Sequence, residues 1–274
     1  MHIEFLDSDV LMFRGQAYES IATAFMSGAD VLLVDALASL QDAQSLRSHL
    51  EQEMGKSVRA IVLTHGMADH RAGLHLFPDA TLMGHPLCAH LIREGEAQAS
   101  PQATDELVSR MLPIAEGQEM SFGRHHLRFF HNEGKTPCSL GIEVPSSDLL
   151  FTADNLLGQI AFISRSTPEL IMRGLDRLET RAGSRLVEGH QGVFPRTSIA
   201  GVRHYLRSLG EQVRIRRESS AGGRASSLQI PIEACLPPGV EATNFEREWH
   251  GHNLSLITTR NLFGVLDVTS PANP

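Results

Sequence analysis

A strongly apolar segment followed at once by two histidines and an aspartate constrains this chain most. The run Val58-Arg59-Ala60-Ile61-Val62-Leu63 predicts a buried β-strand. It leads into Thr64-His65-Gly66-Met67-Ala68-Asp69-His70, and a turn after a buried strand can direct these three side chains into one cavity. Imidazole nitrogens and carboxylate oxygens are ligands for Zn²⁺, Mn²⁺ or Fe²⁺. The segment therefore predicts a metal centre at the end of a strand.

The composition is that of an ordinary globular protein. Hydrophobic residues make up 42% of the 274 positions and charged residues 20%, which provides enough apolar side chains for a large core. The 24 basic residues are outnumbered by 32 acidic ones. The densest basic group, Arg214-Ile215-Arg216-Arg217, is typical of a solvated helix face, so we expect no binding to nucleic acid.

The cysteines and the hydropathy pattern favour a cytoplasmic protein. Cys88, Cys138 and Cys235 are odd in number and form no Cys-x-x-Cys pair, so we expect free thiols in a reducing compartment. No apolar run reaches the roughly 18 residues of a membrane span. The N-terminal segment lacks the basic and apolar regions of a signal peptide. We therefore expect no membrane partner.

The order of apolar segments predicts two similar halves in which strands alternate with helices. Helices are expected to start at Pro86, to cover residues 101–115, and to form again at 168–180 and 198–217. This pattern predicts an α+β fold, a four-layer αββα sandwich with the metal ligands on loops at one sheet edge. We expect this domain to span residues 1–217. A loop (218–227) and a C-terminal helical extension within residues 218–274 are expected to pack on it.

Five sequence blocks occur in the order typical of the metallo-β-lactamase superfamily, which the chain resembles from about residue 10 to 200. The central block, Thr64–His70, resembles the family's His-x-His-x-Asp-His signature, with Met67 in place of the second histidine. The other blocks are Leu33-Val34-Asp35, Phe130–Ser139, Leu150–Asp154 and Glu188–Gly192. The resemblance implies the sandwich fold and a hydrolase of the glyoxalase II type. It also implies that Asp35 supports the metal loop from outside the ligand set.

The resemblance further implies which metal ligands are kept. Members of the family usually bind two metal ions, and His65, Met67 and Lys135 stand at the ligand positions of the first site. A thioether is a poor ligand for such a dication, and an ammonium group cannot coordinate one. All four positions of the second site keep their ligands. The resemblance therefore implies one ion, Zn²⁺ with Mn²⁺ or Fe²⁺ as alternatives, with predicted metal-site residues His65, Asp69, His70, Asp154 and His190.

Asp69 and Lys135 are the predicted catalytic residues. Asp69 could orient the attacking water. Lys135 has two interpretations. Either its charge offsets part of the charge of the missing metal beside Asp154 and polarises a substrate carbonyl, or its side chain points to solvent. His131 is either a replacement ligand or an ordinary hydrogen-bonding residue, and Cys138 is either a nucleophile or an inert buried thiol. His250 and His252 either contact substrate or stabilise the C-terminal helices.

We expect a metal-dependent hydrolase of a small-molecule ester, thioester, lactone or amide. In this hypothesis a water on the single second-site ion attacks the carbonyl. The alternative is a degenerate family member that no longer hydrolyses and binds a ligand or a partner in the old cavity. Loss of first-site ligands favours the alternative, and the complete second site opposes it. A homodimer is the alternative to a monomeric chain.

Overall fold

Two β-sheets form the centre of the fold, as the sequence predicts. The computed structural model describes residues 1–95, 101–219 and 228–263. In the first sheet, the strands lie side by side in chain order: β1 (His2–Asp7), β2 (Val10–Arg14), β3 (Ile21–Ser27), β4 (Asp30–Val34), β5 (Ser57–Leu63), β6 (Thr81–Gly84) and β7 (Met111–Pro113). Strands β1 to β4 pair antiparallel, whereas β4 to β7 pair parallel.

The second sheet has six described strands. They are β8 (Glu119–Phe122), β9 (His125–His131), β10 (Leu140–Val144), β11 (Leu149–Ala153), β12 (Arg185–Glu188) and β13 (Val193–Pro195), and they pair in this chain order across the sheet. The pairs are antiparallel except for β11 with β12, which is parallel. Each sheet therefore contains parallel neighbours whose carboxyl ends lie at the same edge.

Helices cover the outer face of each sheet. The first sheet carries α1 (Leu40–Ser48) with a further π-helical turn at His49–Glu53, α2 (Cys88–Gly95) and α3 (Pro101–Ser109). The second carries α4 (Pro168–Glu179), α5 (Ser198–Glu218) and α6 (Asn244–Arg260). Among the described helices, none combines the length and the apolar composition that a membrane span needs.

Three apolar clusters separate the four layers. In β4, Val31 and Leu33 belong to the cluster under α1 and α2, while the alternate residues Leu32 and Val34 belong to the cluster between the sheets. The same alternation places Leu150 of β11 against the helices of the second sheet. Because successive strand residues point to opposite faces, each central strand contributes to two cores. This is the α+β sandwich that the sequence predicts.

Capping residues begin the helices that hold this sandwich together. The Thr167 hydroxyl accepts a hydrogen bond from the Leu170 N–H, and Pro168 occupies the first turn of α4. Thr243 and Glu246 form a complete capping box at the start of α6. Such side chains satisfy amide groups that have no partner within the helix.

Three details differ from the sequence interpretation or lie beyond the described residues. The helix predicted over 101–115 ends at Ser109, because Met111–Pro113 pairs with β6 as an edge strand; helical propensity is overridden by strand pairing. The helix expected from Pro86 begins at Cys88 after a turn. Residues 220–227 of the predicted surface loop lie outside the described residues. The domain boundary at residue 217 stays a prediction.

Candidate metal centre

Four strand ends bring the candidate ligands together. Asp35 follows β4 and His65 lies two residues after β5, while Asp154 follows β11 and His190 lies two residues after β12. Because β4 pairs parallel with β5 and β11 with β12, both pairs end at corresponding sheet edges. The two edges face one another in the sandwich. The site therefore lies where both sheets end, as the sequence predicts.

Asp69, His70, Asp154 and His190 form one compact cluster. Each offers a ligand atom, and these atoms all lie within 4.8 Å of one another. The His70 Nε2 atom is 3.3 Å from Asp154 Oδ1, and the His190 Nε2 atom is 3.3 Å from Asp154 Oδ2 and 3.5 Å from Asp69 Oδ2. Opposed ligands of one ion are about 4 Å apart. The cluster thus has the size of a single-ion site.

Partners outside the cluster orient both histidines. The Asp35 carboxylate lies 2.9 Å from His70 Nδ1 and also accepts hydrogen bonds from the Thr64 N–H (2.8 Å) and hydroxyl (2.7 Å). His190 Nδ1 lies 2.7 Å from the Tyr18 carbonyl oxygen. A protonated Nδ1 donating to these acceptors leaves each Nε2 free as a ligand.

The backbone next to the ligands adopts conformations that only a few residue types favour. Asp35, Ala153 and Gln191 have positive φ angles of 61°, 50° and 60°. Gly189 leaves no room for a side chain, because a Cβ atom there would lie 1.8 Å from Asp154 Oδ1. Non-glycine residues with positive φ cost free energy and concentrate at functional sites. Three such residues beside the candidate ligands therefore support a functional role for this site.

The charges and the free ligand atoms fit a divalent cation. The carboxylates of Asp35, Asp69 and Asp154 carry −3 and Lys135 carries +1, which leaves −2 with neutral histidines. His70 Nε2 and Asp154 Oδ1 are buried 3.3 Å from each other, and neither atom makes a hydrogen bond. Such groups are costly unless something binds them. A dication of the kind that binds imidazole and carboxylate would satisfy both the charge and the unpaired atoms.

The directions of the pKa shifts agree with a cluster that attracts positive charge. Burial lowers the pKa of His70, but Asp154, Asp35 and Asp69 outweigh this and raise it well above its ordinary value. Burial likewise lowers and Asp154 raises the pKa of His190, with a net upward shift. Both shifts favour protonated imidazoles, whose positive charge would offset that of the carboxylates. Metal binding would therefore displace protons from the histidines.

Lys135 points into the cluster. Its side chain is buried, and its ammonium group donates a hydrogen bond to Asp154 Oδ2. Burial lowers the Lys135 pKa, but the charges of Asp154 and Asp69 raise it above its usual value overall. The same ammonium lies 5.6 Å from the centre of the Phe162 ring. The interpretation in which Lys135 points to solvent is therefore wrong.

His65 lies beside the cluster but outside the group of four. Its Nε2 atom is 3.1 Å from Asp154 Oδ2, and neither ring nitrogen makes a hydrogen bond. Met67 is half-buried against the core beneath α2. His65 and Lys135 therefore approach the same oxygen of Asp154, and the role of His65 as a metal ligand stays a prediction.

His131 and Cys138 have local structural partners. His131 Nε2 lies 2.8 Å from the Pro137 carbonyl, and its ring stacks on His85 with centroids 4.1 Å apart. The buried Cys138 sulfur accepts a hydrogen bond from the Gly66 N–H at 3.4 Å. Its pKa is lowered to about 6, chiefly by a hydrogen bond from Cys88, against the effect of burial. The hydrogen-bonding interpretation of His131 agrees with these contacts.

The two histidines of α6 face different surroundings. His250 is buried and bonds the Tyr205 hydroxyl (2.9 Å) and the Ile230 carbonyl (2.8 Å), so it stabilises the helix packing. His252 lies on the exposed side of α6, with its ring centroid 5.1 Å from that of Trp249. The structural interpretation therefore suits His250, and His252 contacts Trp249, which belongs to an aromatic group described below.

Two positions at the site were not identified from the sequence. Asn155 accepts a hydrogen bond from the Lys135 N–H (2.8 Å) and donates one to the Asn132 carbonyl (2.7 Å), which fixes the loop that carries Lys135. Its position directly after Asp154 was the available signal. Tyr18 orients His190 through its backbone carbonyl. Because any residue has a carbonyl, no side-chain pattern could have indicated this contact.

Replacing Asp35 with asparagine is expected to weaken metal binding by roughly 10- to 100-fold, as loss of a partner that orients a ligand typically does. The amide keeps the shape of the side chain but removes the charge that faces His70 Nδ1. Competition with a chromophoric chelator measures this affinity. Asp30→Asn, at an exposed surface ion pair with Arg59, is the matched control. Equal affinities of Asp35→Asn and the unmodified protein would contradict the assigned role.

Comparison with known proteins agrees with this architecture. The family model "Metallo-beta-lactamase superfamily" matches residues 21–190, more than half of the chain. A metallo-beta-lactamase from Pontibacter korlensis superposes with a TM-score of 0.64 at 14% identity, covering 75% of this chain and 98% of that one. A metallo-beta-lactamase family protein from Thermus thermophilus gives 0.64 at 18% identity, covering 78% and 85%. At these identities the structural similarity concerns the fold alone. No curated protein sequence matches significantly.

Proposed function

This chain belongs to the metallo-β-lactamase superfamily, and we propose that it hydrolyses an ester, thioester, lactone or amide with one divalent metal ion, Zn²⁺ in the first instance. Family membership and the His/Asp cluster suggest a metal-dependent hydrolase. The proposed enzyme uses a single metal ion and acts on a small-molecule substrate.

The observation that carries the proposal is the position of Lys135 on Asp154. Asp69, His70, Asp154 and His190 would hold the ion. The ammonium of Lys135 meets Asp154 Oδ2, next to His65, where the family's first metal site would lie. A second dication there would have to approach a buried positive charge, at a cost that grows in a site of low dielectric. We therefore propose a stoichiometry of one.

The chemistry needs a polarised carbonyl, an activated water and a group that stabilises the oxyanion. A bound divalent ion would polarise a carbonyl and lower the pKa of a coordinated water. Asp69 is the most exposed member of the cluster, at 18% for its side chain against 0–1% for the other three. It is therefore the carboxylate that can accept a hydrogen bond from the attacking water.

Lys135 is proposed to stabilise the developing oxyanion. An ammonium group has three N–H donors, and one of them goes to Asp154. The other two have no acceptor among the residues that the structure describes. Fixed donors in a water-poor site are typically worth about 2.7–4 kcal/mol when they act on an oxyanion. Lys135 would thus supply part of the charge of a second metal ion and take over its role in stabilising the oxyanion.

A second candidate function rests on the same lysine. Because Lys135 neutralises one carboxylate of the cluster without a metal ion, the chain could also retain its fold as a metal-free binding protein. This is the degenerate family member considered from the sequence. The formal charge of −2 that Asp35, Asp69, Asp154 and Lys135 carry together with neutral histidines, and the buried ligand atoms His70 Nε2 and Asp154 Oδ1, favour the hydrolase.

Metal analysis of the purified protein is the direct test. After dialysis against metal-free buffer, we expect mass spectrometry to find about one ion per chain. Hydrolysis of simple esters and thioesters should disappear on chelation and return when one equivalent of Zn²⁺ is added. Two tightly bound ions per chain would contradict the role of Lys135, and a protein that binds no ion would favour the degenerate alternative.

A further inference from the structure

Four aromatic side chains form a continuous wall beside the metal centre. The aromatic wall consists of Tyr18, Phe162, Phe245 and Trp249. The Trp249 ring lies 4.5 Å from Phe162, 5.8 Å from Phe245 and 6.5 Å from Tyr18, between ring centroids. The wall contains the chain's one tryptophan and one of its two tyrosines. Aromatic residues are thus gathered here from three separate segments.

The wall extends from the cluster to the protein surface. At its inner end, the Phe245 ring lies 5.4 Å from the ring of His190, and Phe162 lies beneath the Lys135 ammonium. At its outer end, Tyr18 is 58% exposed. Phe162, Phe245 and Trp249 are half-buried. A ligand whose carbonyl reaches Lys135 would therefore lie along these rings.

Helix α6 holds its part of the wall rigidly. Phe245, Trp249 and His252 share one helix face at spacings of four and three residues, whereas His250 and Asn253 point into the core. Asn253 accepts a hydrogen bond from the Ile163 N–H (2.8 Å) and donates to the Ala161 carbonyl (2.7 Å). These bonds tie α6 to the segment that carries Phe162. The rings are thus positioned before a ligand arrives, which reduces the entropy lost on binding.

We infer that the aromatic wall selects substrates whose acyl group carries an aryl ring close to the scissile carbonyl. This inference rests on the proposed hydrolase for the position of the carbonyl. A contact between two aromatic rings strengthens binding roughly two- to tenfold beyond the effect of the buried area. Arg165 and Arg247, which follow Phe162 and Phe245 closely in the chain, are ion-paired with Glu94 and Glu233. Arg260 donates hydrogen bonds to the Ser164 and Ser166 carbonyls. These guanidinium groups have partners within the protein, so an uncharged aryl group fits the rings of the wall better than an anionic one.

Trp249 provides a direct readout of binding, because it is the only tryptophan. The probes are three ketones, which present a carbonyl but have no leaving group: 4-phenyl-2-butanone, 4-cyclohexyl-2-butanone and 2-butanone. Titration of the metal-loaded protein is followed by Trp249 fluorescence. We expect 4-phenyl-2-butanone to bind at least tenfold more tightly than 2-butanone and more tightly than the cyclohexyl ketone. Equal affinities of the phenyl and cyclohexyl ketones would overturn the aryl selectivity.

Phe245→Leu and Phe162→Leu keep apolar volume but remove a ring. Each is expected to raise the Kd of 4-phenyl-2-butanone roughly two- to tenfold, and by a larger factor than it raises the Kd of 2-butanone. Phe5→Ala, at a 65% exposed position of β1, is the matched control and should change neither value. Wild-type affinity in both leucine variants would overturn the inference.

Ester hydrolysis separates this inference from the proposed function. The matched substrates are methyl 3-phenylpropanoate and methyl propanoate, and we expect kcat/KM to be at least tenfold higher for the aryl ester. Metal-dependent turnover of both esters with equal kcat/KM would overturn the aromatic wall and leave the hydrolase intact. Selective binding of the phenyl ketone without turnover of either ester would support the wall and contradict the hydrolase.

Discussion

Replacing His190 with alanine is expected to remove the metal ion and abolish hydrolysis while the chain stays folded. His190 Nε2 faces both Asp69 and Asp154, so the variant loses one of four proposed ligands. Replacing a residue that only orients a metal ligand typically lowers metal affinity roughly 10- to 100-fold, and loss of the ligand itself should lower it further. The measurements are metal content after dialysis and kcat/KM for a simple ester.

The fold should tolerate this change because His190 lies in a loop after β12 and belongs to none of the three apolar clusters. It also contacts the Tyr18 carbonyl, so the free energy of unfolding of the metal-free protein should fall by only about 1–3 kcal/mol. His126→Ala, at a surface ion pair with Glu119, is the matched control. Full metal content and activity in His190→Ala would refute the assigned cluster.

Replacing Lys135 with methionine is expected to lower kcat by roughly 100- to 1000-fold, the range for a donor that acts on an oxyanion. KM should change much less, because the interaction strengthens as the negative charge develops. Lys56→Met changes the only other lysine of the chain and should leave both constants unaltered. If kcat of Lys135→Met equals that of the unmodified enzyme, Lys135 has no part in catalysis.

A double variant tests whether Lys135 stands in for a metal ion. Met67→His combined with Lys135→His restores the three histidines of the family's first site. We expect metal analysis to rise from about one to about two ions per chain. Lys135→Met alone removes the charge without supplying ligands and should stay near one. A double variant that still binds one ion would show that more than these two residues excludes the second metal.

Much of the fold and of the candidate site follows from the sequence because both depend on local order along the chain. A continuous apolar run such as Val31 to Val34 predicts a strand covered on both faces. His65, Asp69 and His70 lie within six positions, so their proximity needs no knowledge of distant segments. By contrast, the helical interpretation of Met111–Pro113 is wrong because its partner strand β6 lies about 30 residues earlier, and pairing at that distance leaves no local pattern.

The amino-acid order predicts the sandwich and the strand ends that carry Asp154 and His190, and the family resemblance implies that Met67 and Lys135 replace ligands of a first metal site. Only the tertiary structure showed that the Lys135 side chain points into the cluster. The sequence does not distinguish a buried lysine from an exposed one, because burial of Lys135 depends on its ion pair with Asp154, 19 residues later in the chain. The same holds for the support of His190 by Tyr18, which uses a carbonyl oxygen that every residue carries. Tyr18, Phe162 and Trp249 lie far apart along the chain, and only the packing of α6 beside the metal centre brings their rings into one wall.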